Sequence, residues 1–151
     1  MPMTPKIEHH LTEELIAGYS AGTLPEAVNL IVATHVSLCD TCRAAVEAYD
    51  AVGGAVLEQV EEIEVSSDCL AGALDLIRNG AWAAPQTRVT RHDPILPEPL
   101  RDYVGGSLEN VQWRPVGMGV KQAILKTSGE ATARLLYIPA GTAVPDHGHR
   151  G

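Results

Sequence analysis

The sequence is 151 residues long, with 45% hydrophobic and 20% charged residues, so it can bury a core and is not expected to be disordered. It has no stretch of the roughly 20 apolar residues that a membrane-spanning helix needs, and its first residues lack the basic, then apolar pattern of a signal peptide. We therefore expect a cytoplasmic protein that does not enter the membrane, with its cysteine thiols reduced.

Charge is distributed unevenly along the chain. Residues 1–80 carry three basic and thirteen acidic side chains, a net charge of −10, whereas residues 81–151 carry a net charge of +2. An acidic domain repels the phosphate backbone, so no direct binding of nucleic acid is expected from the N-terminal part. The same charge would attract a basic protein partner, although composition alone favours an acidic surface that merely keeps the protein in solution.

The first eighty residues show the apolar spacing of helices. Thr12 is a candidate N-cap for a first helix, which ends near Gly22. The segment Thr23–Glu26 has the form of a capping box with Pro25 in the first turn of a second helix. The run after it, to Leu38, is apolar nearly all round, so the second helix is expected to be largely buried.

Two more helices are predicted in this part of the chain. The third starts at Asp40 or the residue after it and keeps an apolar stripe for about five turns, as far as Ile63. The fourth starts at Ser66 or Ser67 and ends at an Asn-Gly pair. Cys69 lies on the fourth helix with no partner at a ligand spacing, and we expect a buried thiol there.

The sequence pattern changes after Trp82. Residues 83–99 contain four prolines with interspersed arginines, which predicts an extended linker. Short runs of β-type residues at 111–116, 120–126 and 131–138, separated by glycine-containing turns, predict strands.

These patterns together predict the fold class and the domain division. We expect a mainly α N-terminal domain of four helices over residues 1–82 and the linker over 83–99. An incomplete all-β segment follows over 100–151.

Three residues around the end of the second helix have the spacing of metal ligands. His35 and Cys39 are four apart, so they lie one turn apart on the same helix face. Cys42 follows after two residues, a spacing that lets two thiolates bind one tetrahedral ion. A structural zinc site takes four ligands, and the nearby candidates for the fourth are His9 and His10, of which His10 adjoins the first helix. The pattern predicts one structural zinc ion, which suits a mixed sulfur and nitrogen ligand set.

Other interpretations fit part of this pattern. A Cys-x-x-Cys pair is typical of thioredoxin-like redox proteins, but no strand is predicted ahead of Cys39, where that motif needs one. Cysteine is also a common small core residue, so a chance arrangement is a further alternative. A nucleic-acid-binding zinc finger is disfavoured by the acidic charge and by the missing second ligand pair. A redox protein would form a reversible disulfide and bind no zinc.

The stretch from His35 to Cys42, with a histidine ahead of the first helix, resembles the signature of the zinc-binding anti-sigma domain family. The segments Leu15–Gly22, Ala33–Asp40 and Asp50–Gly54 resemble the ChrR-type members of that family. The zinc ligands that this resemblance implies are His10, His35, Cys39 and Cys42.

The resemblance also implies a function. In this family the first three helices of a cytoplasmic bundle bind one region of an extracytoplasmic-function sigma factor, and a more mobile fourth helix, here about 67–79, binds another. Both contacts cover surfaces that the sigma factor needs for core RNA polymerase. We therefore expect an anti-sigma factor and not an enzyme, and no hydrolase, metalloprotease or P-loop motif is present.

The run Gly141–His149 matches the opening of the cupin metal motif, G-x5-H-x-H. Two histidines two apart on a strand face the same side, so His147 and His149 would contact one ion inside a β-barrel. The glutamate and the later histidine of that motif do not follow before Gly151. We therefore expect an incomplete second site that holds no ion unless further ligands are supplied.

In ChrR-type proteins a cupin-like domain follows the anti-sigma domain and is implicated in sensing singlet oxygen or related oxidants. The resemblance extends this expectation to the present chain. The alternative function is a metal-dependent cupin enzyme with a helical accessory domain, which would bind a second metal and turn over a small molecule.

Overall fold

A computed structural model describes residues 7–79, 93, 95–129 and 131–143. In that part of the chain the helices are α1 (Glu13–Ser20), α2 (Glu26–Leu38), α3 (Asp40–Leu57), α4 (Cys69–Arg78) and α5 (Glu98–Val104). A 3-10 turn (Leu108–Asn110) precedes the strands β1 (Arg114–Gly117), β2 (Val120–Ile124) and β3 (Arg134–Tyr137). The predicted order of a helical part followed by an antiparallel sheet is confirmed. Among the described residues, no helix combines the length and apolar character needed to cross a membrane.

Helix α1 begins and ends where the sequence predicts. The hydroxyl of Thr12 accepts a hydrogen bond from the backbone N–H of Leu15 at 3.5 Å, as an N-cap residue does. Gly22, just beyond the helix, has a φ of +66°, a conformation that glycine adopts without strain. Ile16 is buried, and α1 packs against α2 and α3.

The capping box predicted for α2 is not formed. The residue ahead of the helix is Pro25, which has no side-chain cap to offer, and the Thr23 hydroxyl donates to the carbonyl of Gly18 at 3.3 Å. The Glu26 carboxylate, which a capping box directs back to the N-cap, bonds instead to the C-terminal part of the chain. Tertiary contacts have overridden the local motif.

Helix α2 contacts other elements on two sides and leaves part of its surface exposed. Ala27, Leu30 and Val32 are buried, whereas Ile31 and Leu38 are 57% and 59% exposed. The predicted burial is confirmed for Ala27, Leu30 and Val32. It is wrong for Ile31 and Leu38. An apolar surface of α2 is therefore open to another molecule.

Helix α3 starts at Asp40, directly after the extended residue Cys39, and runs for 18 residues. This length matches the predicted five turns. The helix ends at Leu57, however, so Ile63, where the predicted stripe ended, lies beyond it. Only the first half of α3 contributes buried residues.

Helix α4 lies apart from the packed elements, and every residue in the range 47–79 is exposed. The helix starts at Cys69, later than the predicted Ser66 or Ser67. The prediction of a buried Cys69 thiol is wrong: the residue is exposed, because no described element packs closely against this helix. An amphipathic pattern predicts that a face is covered, and here no described part of the chain covers it.

The sequence patterns missed helix α5. Prolines predicted a linker as far as residue 99, but α5 begins at Glu98 with Pro99 in its first turn, where a missing N–H breaks no helical bond. Gly105 follows with a φ of +82° and ends the helix. Most of the predicted linker, residues 83–92 and 94, lies outside the described residues.

The three predicted strands form one antiparallel sheet in the order β1-β2-β3, with each strand shorter than predicted. In the pairing of β2 with β3, Lys121 lies opposite Tyr137 and Ile124 opposite Arg134. Ala123 and Ala133 are buried, which places the sheet against the helices.

The main buried apolar cluster joins α2 to the C-terminal part of the chain. Ala27 and Leu30 of α2 enter the cluster, and the rest comes from α5, from β2 and from the segments that flank these elements. The C-terminal members are Leu96, Val104, Val111, Ala123, Leu125 and Ala133. Nothing in the sequence pattern indicated this contact between the helical half and the sheet.

Replacing Leu30 with Ala is expected to lower the free energy of unfolding by about 2–4 kcal/mol, because it leaves a cavity in this shared core. The matched control is Ile31→Ala on the exposed side of the same helix, expected to change it by no more than about 0.5 kcal/mol. Urea unfolding of the zinc-loaded chain measures both. Equal losses for the two variants would show that α2 does not pack as described.

Candidate metal centre

Four side chains meet where α2 joins α3. The ligand atoms of His10, His35, Cys39 and Cys42 all lie within 4.8 Å of one another. Zinc–sulfur and zinc–nitrogen bonds of about 2.3 and 2.0 Å place tetrahedral ligands about 3.3–3.8 Å apart. The cluster therefore fits a single ion after small adjustments.

Each ligand position follows from local structure. His35 lies in the last turn of α2, and its carbonyl accepts the backbone N–H of Cys39 at 2.9 Å. Cys39 has an extended backbone (φ −115°, ψ 106°), which ends α2 and allows α3 to begin at the next residue. Cys42 then falls in the first turn of α3, so that the sharp corner directs both thiols to one point.

The fourth side chain comes from the segment ahead of α1. Nδ1 of His10 lies 3.3 Å from Sγ of Cys39 and 3.7 Å from Sγ of Cys42. Of the two histidines that the sequence offered, His10 is the one in the cluster, while His9 is exposed and outside it. The backbone N–H of Leu11 also donates to Sγ of Cys42 at 3.3 Å, which fixes this segment against the corner.

The protein atoms alone leave this cluster incompletely bonded. Nε2 of His35 is buried and has no hydrogen-bond partner in the described part of the chain. A buried polar atom without a partner is destabilising, and such atoms are rare in folded proteins. An ion bound here would take up the nitrogen lone pair, so the donor set fits a metal.

The two thiols have different environments. A hydrogen bond from the Cys42 backbone N–H is the largest of the effects that lower the pKa of Cys39. Burial raises the pKa of Cys42, and the Leu11 N–H opposes that effect. Thiolate is the form that binds metal, so the backbone N–H groups favour the ligand state of both sulfurs.

The second predicted site cannot be described in the same way. His147 and His149 lie outside the described residues. The incomplete cupin-type site therefore stays a prediction.

No protein-family profile matches the chain. The chain is 54% identical over 146 residues to the anti-sigma-E factor ChrR of Cereibacter sphaeroides, a match that spans 96% of this chain and 67% of that protein. The chain belongs to the ChrR family of anti-sigma factors. This confirms the resemblance inferred from the His-x3-Cys-x2-Cys motif.

A solved structure supports the same membership. The crystal structure of Rhodobacter sphaeroides SigE in complex with the anti-sigma ChrR matches with a TM-score of 0.79 and 51% identity, over 97% of this chain and 73% of that one. This match confirms the predicted fold class, a helical N-terminal part followed by β structure. An anti-sigma factor is a regulatory protein, so the prediction of a non-enzyme is also confirmed, and the cupin-enzyme alternative is not favoured.

Replacing Cys39 with Ser is expected to reduce bound zinc from one ion per chain to a small fraction, because the tetrahedral set loses a thiolate. Cys69→Ser is the matched control, since that thiol is exposed and outside the cluster. Metal analysis of the purified chains measures the difference. Unchanged zinc in Cys39→Ser would refute the site.

The two neighbouring histidines provide a second comparison. His10→Ala is expected to weaken zinc binding at least tenfold, whereas His9→Ala should leave it unchanged, because His10 lies beside the sulfurs and His9 is outside the cluster. Competition with a calibrated zinc chelator measures both affinities. The reverse ranking would assign the fourth ligand to His9.

Proposed function

We propose that this chain binds a sigma factor of the extracytoplasmic-function class and prevents it from binding core RNA polymerase. The similar protein of Cereibacter sphaeroides is an anti-sigma-E factor, and the similar solved structure is a complex of ChrR with SigE. We place this activity in the cytoplasm, where RNA polymerase works.

The observation that carries the proposal is an uncovered apolar surface. Residues 47–79, which we call the exposed arm, comprise the last part of α3, the connection after it and α4, and are exposed throughout. Contiguous apolar surface of this kind marks a site of protein association. The large apolar residues of the arm with more than half of their surface exposed are Val52, Val56, Leu57, Val60, Ile63, Val65, Leu70, Leu76 and Ile77.

The charge of the exposed arm supports a basic partner. Eight acidic side chains and a single basic one, Arg78, lie within residues 47–79. Sigma factors contact promoter DNA, so their DNA-facing surfaces are expected to be basic, and an acidic arm would attract them. Apolar side chains between the acidic ones would then supply the buried contact area.

We further propose that the zinc ion is structural, with His10, His35, Cys39 and Cys42 as its ligands. Four protein ligands leave no open position for a substrate. The ion would hold the corner between α2 and α3 and tie the segment ahead of α1 to it. It would thereby fix the arrangement in which the helices meet the sigma factor, which makes zinc binding a part of folding.

The domain division and the signal are also proposals. We assign residues 1–82 to the anti-sigma domain and 100–151 to the beginning of a cupin-like barrel, supported by the antiparallel order of the three strands. The linker predicted over 83–99 is shortened at its end, because Leu96 is buried and α5 begins at Glu98. Release of the sigma factor in response to singlet oxygen or related oxidants is supported by membership of the ChrR family. Cys39 and Cys42 are further candidates for oxidation.

Size-exclusion chromatography of this chain with the sigma factor encoded beside it, with zinc measured in each peak, tests the proposal. We expect a complex of one chain and one sigma factor that carries one zinc ion. Separate elution of a folded, zinc-loaded chain would contradict the proposed function.

Changing Ile77 to Asp on α4 is expected to weaken the complex at least tenfold, because a buried interface cannot accommodate an unpaired carboxylate. The matched control is Ser67→Asp, which adds the same charge to the same arm without removing an apolar side chain. Titration calorimetry measures both, and circular dichroism checks that the fold is kept. Equal affinities of the two variants for the sigma factor would show that α4 does not contribute to the interface.

A further inference from the structure

One carboxylate connects α2 to two separate places in the C-terminal part of the chain. Oε1 of Glu26, the first residue of α2, accepts a hydrogen bond from the Tyr103 hydroxyl at 2.7 Å. Oε2 accepts the backbone N–H of Ser128 at 2.5 Å and also the Ser128 hydroxyl. Tyr103 belongs to α5 and Ser128 to the turn between β2 and β3, so Glu26 joins both to α2.

This contact lies at the edge of the shared apolar core. Ala27, the next residue, is buried in the cluster, and Tyr103 packs against it. The hydrogen bonds from Ser128, and then the one from Tyr103, lower the pKa of Glu26 to about 2. The carboxylate is therefore ionised at neutral pH, and hydrogen bonds to an ionised acceptor are stronger than those between neutral groups.

The sequence pattern predicts a second position for the Glu26 carboxylate, in a capping box. In a capping box, Thr23 would be the N-cap and the Glu26 carboxylate would accept the Thr23 backbone N–H. In the structure that N–H donates to the carbonyl of Gly18 at 3.0 Å instead, and α2 starts after Pro25 with no side-chain cap. One carboxylate cannot occupy both positions, so the two arrangements exclude each other.

We propose that Glu26 is a two-position latch, which holds the C-terminal part on α2 in one state and forms a capping box with Thr23 in the other. In the docked state, α5 and the β2–β3 turn cover Ala27 and Leu30. In the undocked state, the capping box keeps the first turn of α2 formed. The C-terminal part can then leave without unfolding the helix that carries His35.

The latch gives the chain a route from its C-terminal part to its sigma-binding part. Undocking exposes Leu30 beside the already exposed Ile31, which enlarges the apolar surface of α2 while the metal corner stays intact. The effect of this change on sigma-factor binding rests on the proposed function. The latch itself rests only on contacts within the chain.

The variant Glu26→Gln is expected to weaken the docked state and to preserve the capping box of the undocked state. Glutamine serves in a capping box as glutamate does, but it has lost the charge and one of the two acceptor oxygens that Tyr103 and Ser128 use. Glu26→Ala removes both the latch and the cap. Glu98→Gln is the matched control, because Glu98 is an exposed glutamate at the same first position of the neighbouring helix α5.

Hydrogen exchange of the zinc-loaded full chain, followed by mass spectrometry, tests the latch. For Glu26→Gln we expect exchange about tenfold faster in residues 95–143, with exchange in 30–38 and zinc content unchanged. Glu98→Gln should match the unaltered chain. Adding Thr23→Ala to Glu26→Gln should then accelerate exchange in α2, because the capping box is lost.

Two results would overturn the proposal. Exchange in residues 95–143 that is unchanged in Glu26→Gln would show that no latch exists. Exchange that rises equally in α2 and in the C-terminal part would show that Glu26 has no second position. A failure of the sigma factor to bind the unaltered chain would refute the proposed function instead, and the exchange results would still decide the latch.

Discussion

The corner between α2 and α3 is the constraint on which the helical part of this protein depends. Cys39 ends one helix and the next residue begins another, so the two helices are joined without a loop. Apolar packing at this corner is limited, because Cys42 and Val46 are the only residues of α3 that are buried. Four donors from three segments of the chain converge on it instead, and a metal bound there would replace the packing that the small domain lacks. An interaction of this kind allows the last turns of α3, and all of α4, to remain exposed and available to a partner.

Helix α2 connects this corner to the C-terminal part of the chain. One end of the helix carries His35, while the other carries Glu26 and the buried Ala27 and Leu30. The two contacts use different chemistry, because a metal cluster holds one end and a carboxylate with a small apolar core holds the other. A change in the packing of the sheet therefore acts on the same rigid element that positions a metal ligand. We regard α2 as the element through which the two parts of the chain influence each other.

Local signals in the sequence predicted local structure well. Thr12 and Gly22 marked α1 because a side-chain cap and a left-handed glycine act within a few residues, and the spacing of His35, Cys39 and Cys42 brought the ligands together for the same reason. Contacts between distant segments were not predictable in this way. The capping box at Thr23 failed because its glutamate bonds to residues 77 and 102 positions away. Cys69 was expected to be buried because an apolar helix face is normally covered, and no part of the described chain covers it.

We propose that a structural zinc ion holds the helices in the arrangement that binds a sigma factor. The most direct measurement is the affinity of the full chain for its sigma factor before zinc removal by a chelator, after removal, and after zinc is restored. We expect removal to weaken binding at least tenfold and restored zinc to recover it, because metal binding and folding of the corner are linked. A zinc-free chain that binds the sigma factor with unchanged affinity would contradict this claim and confine the metal to a role unrelated to recognition.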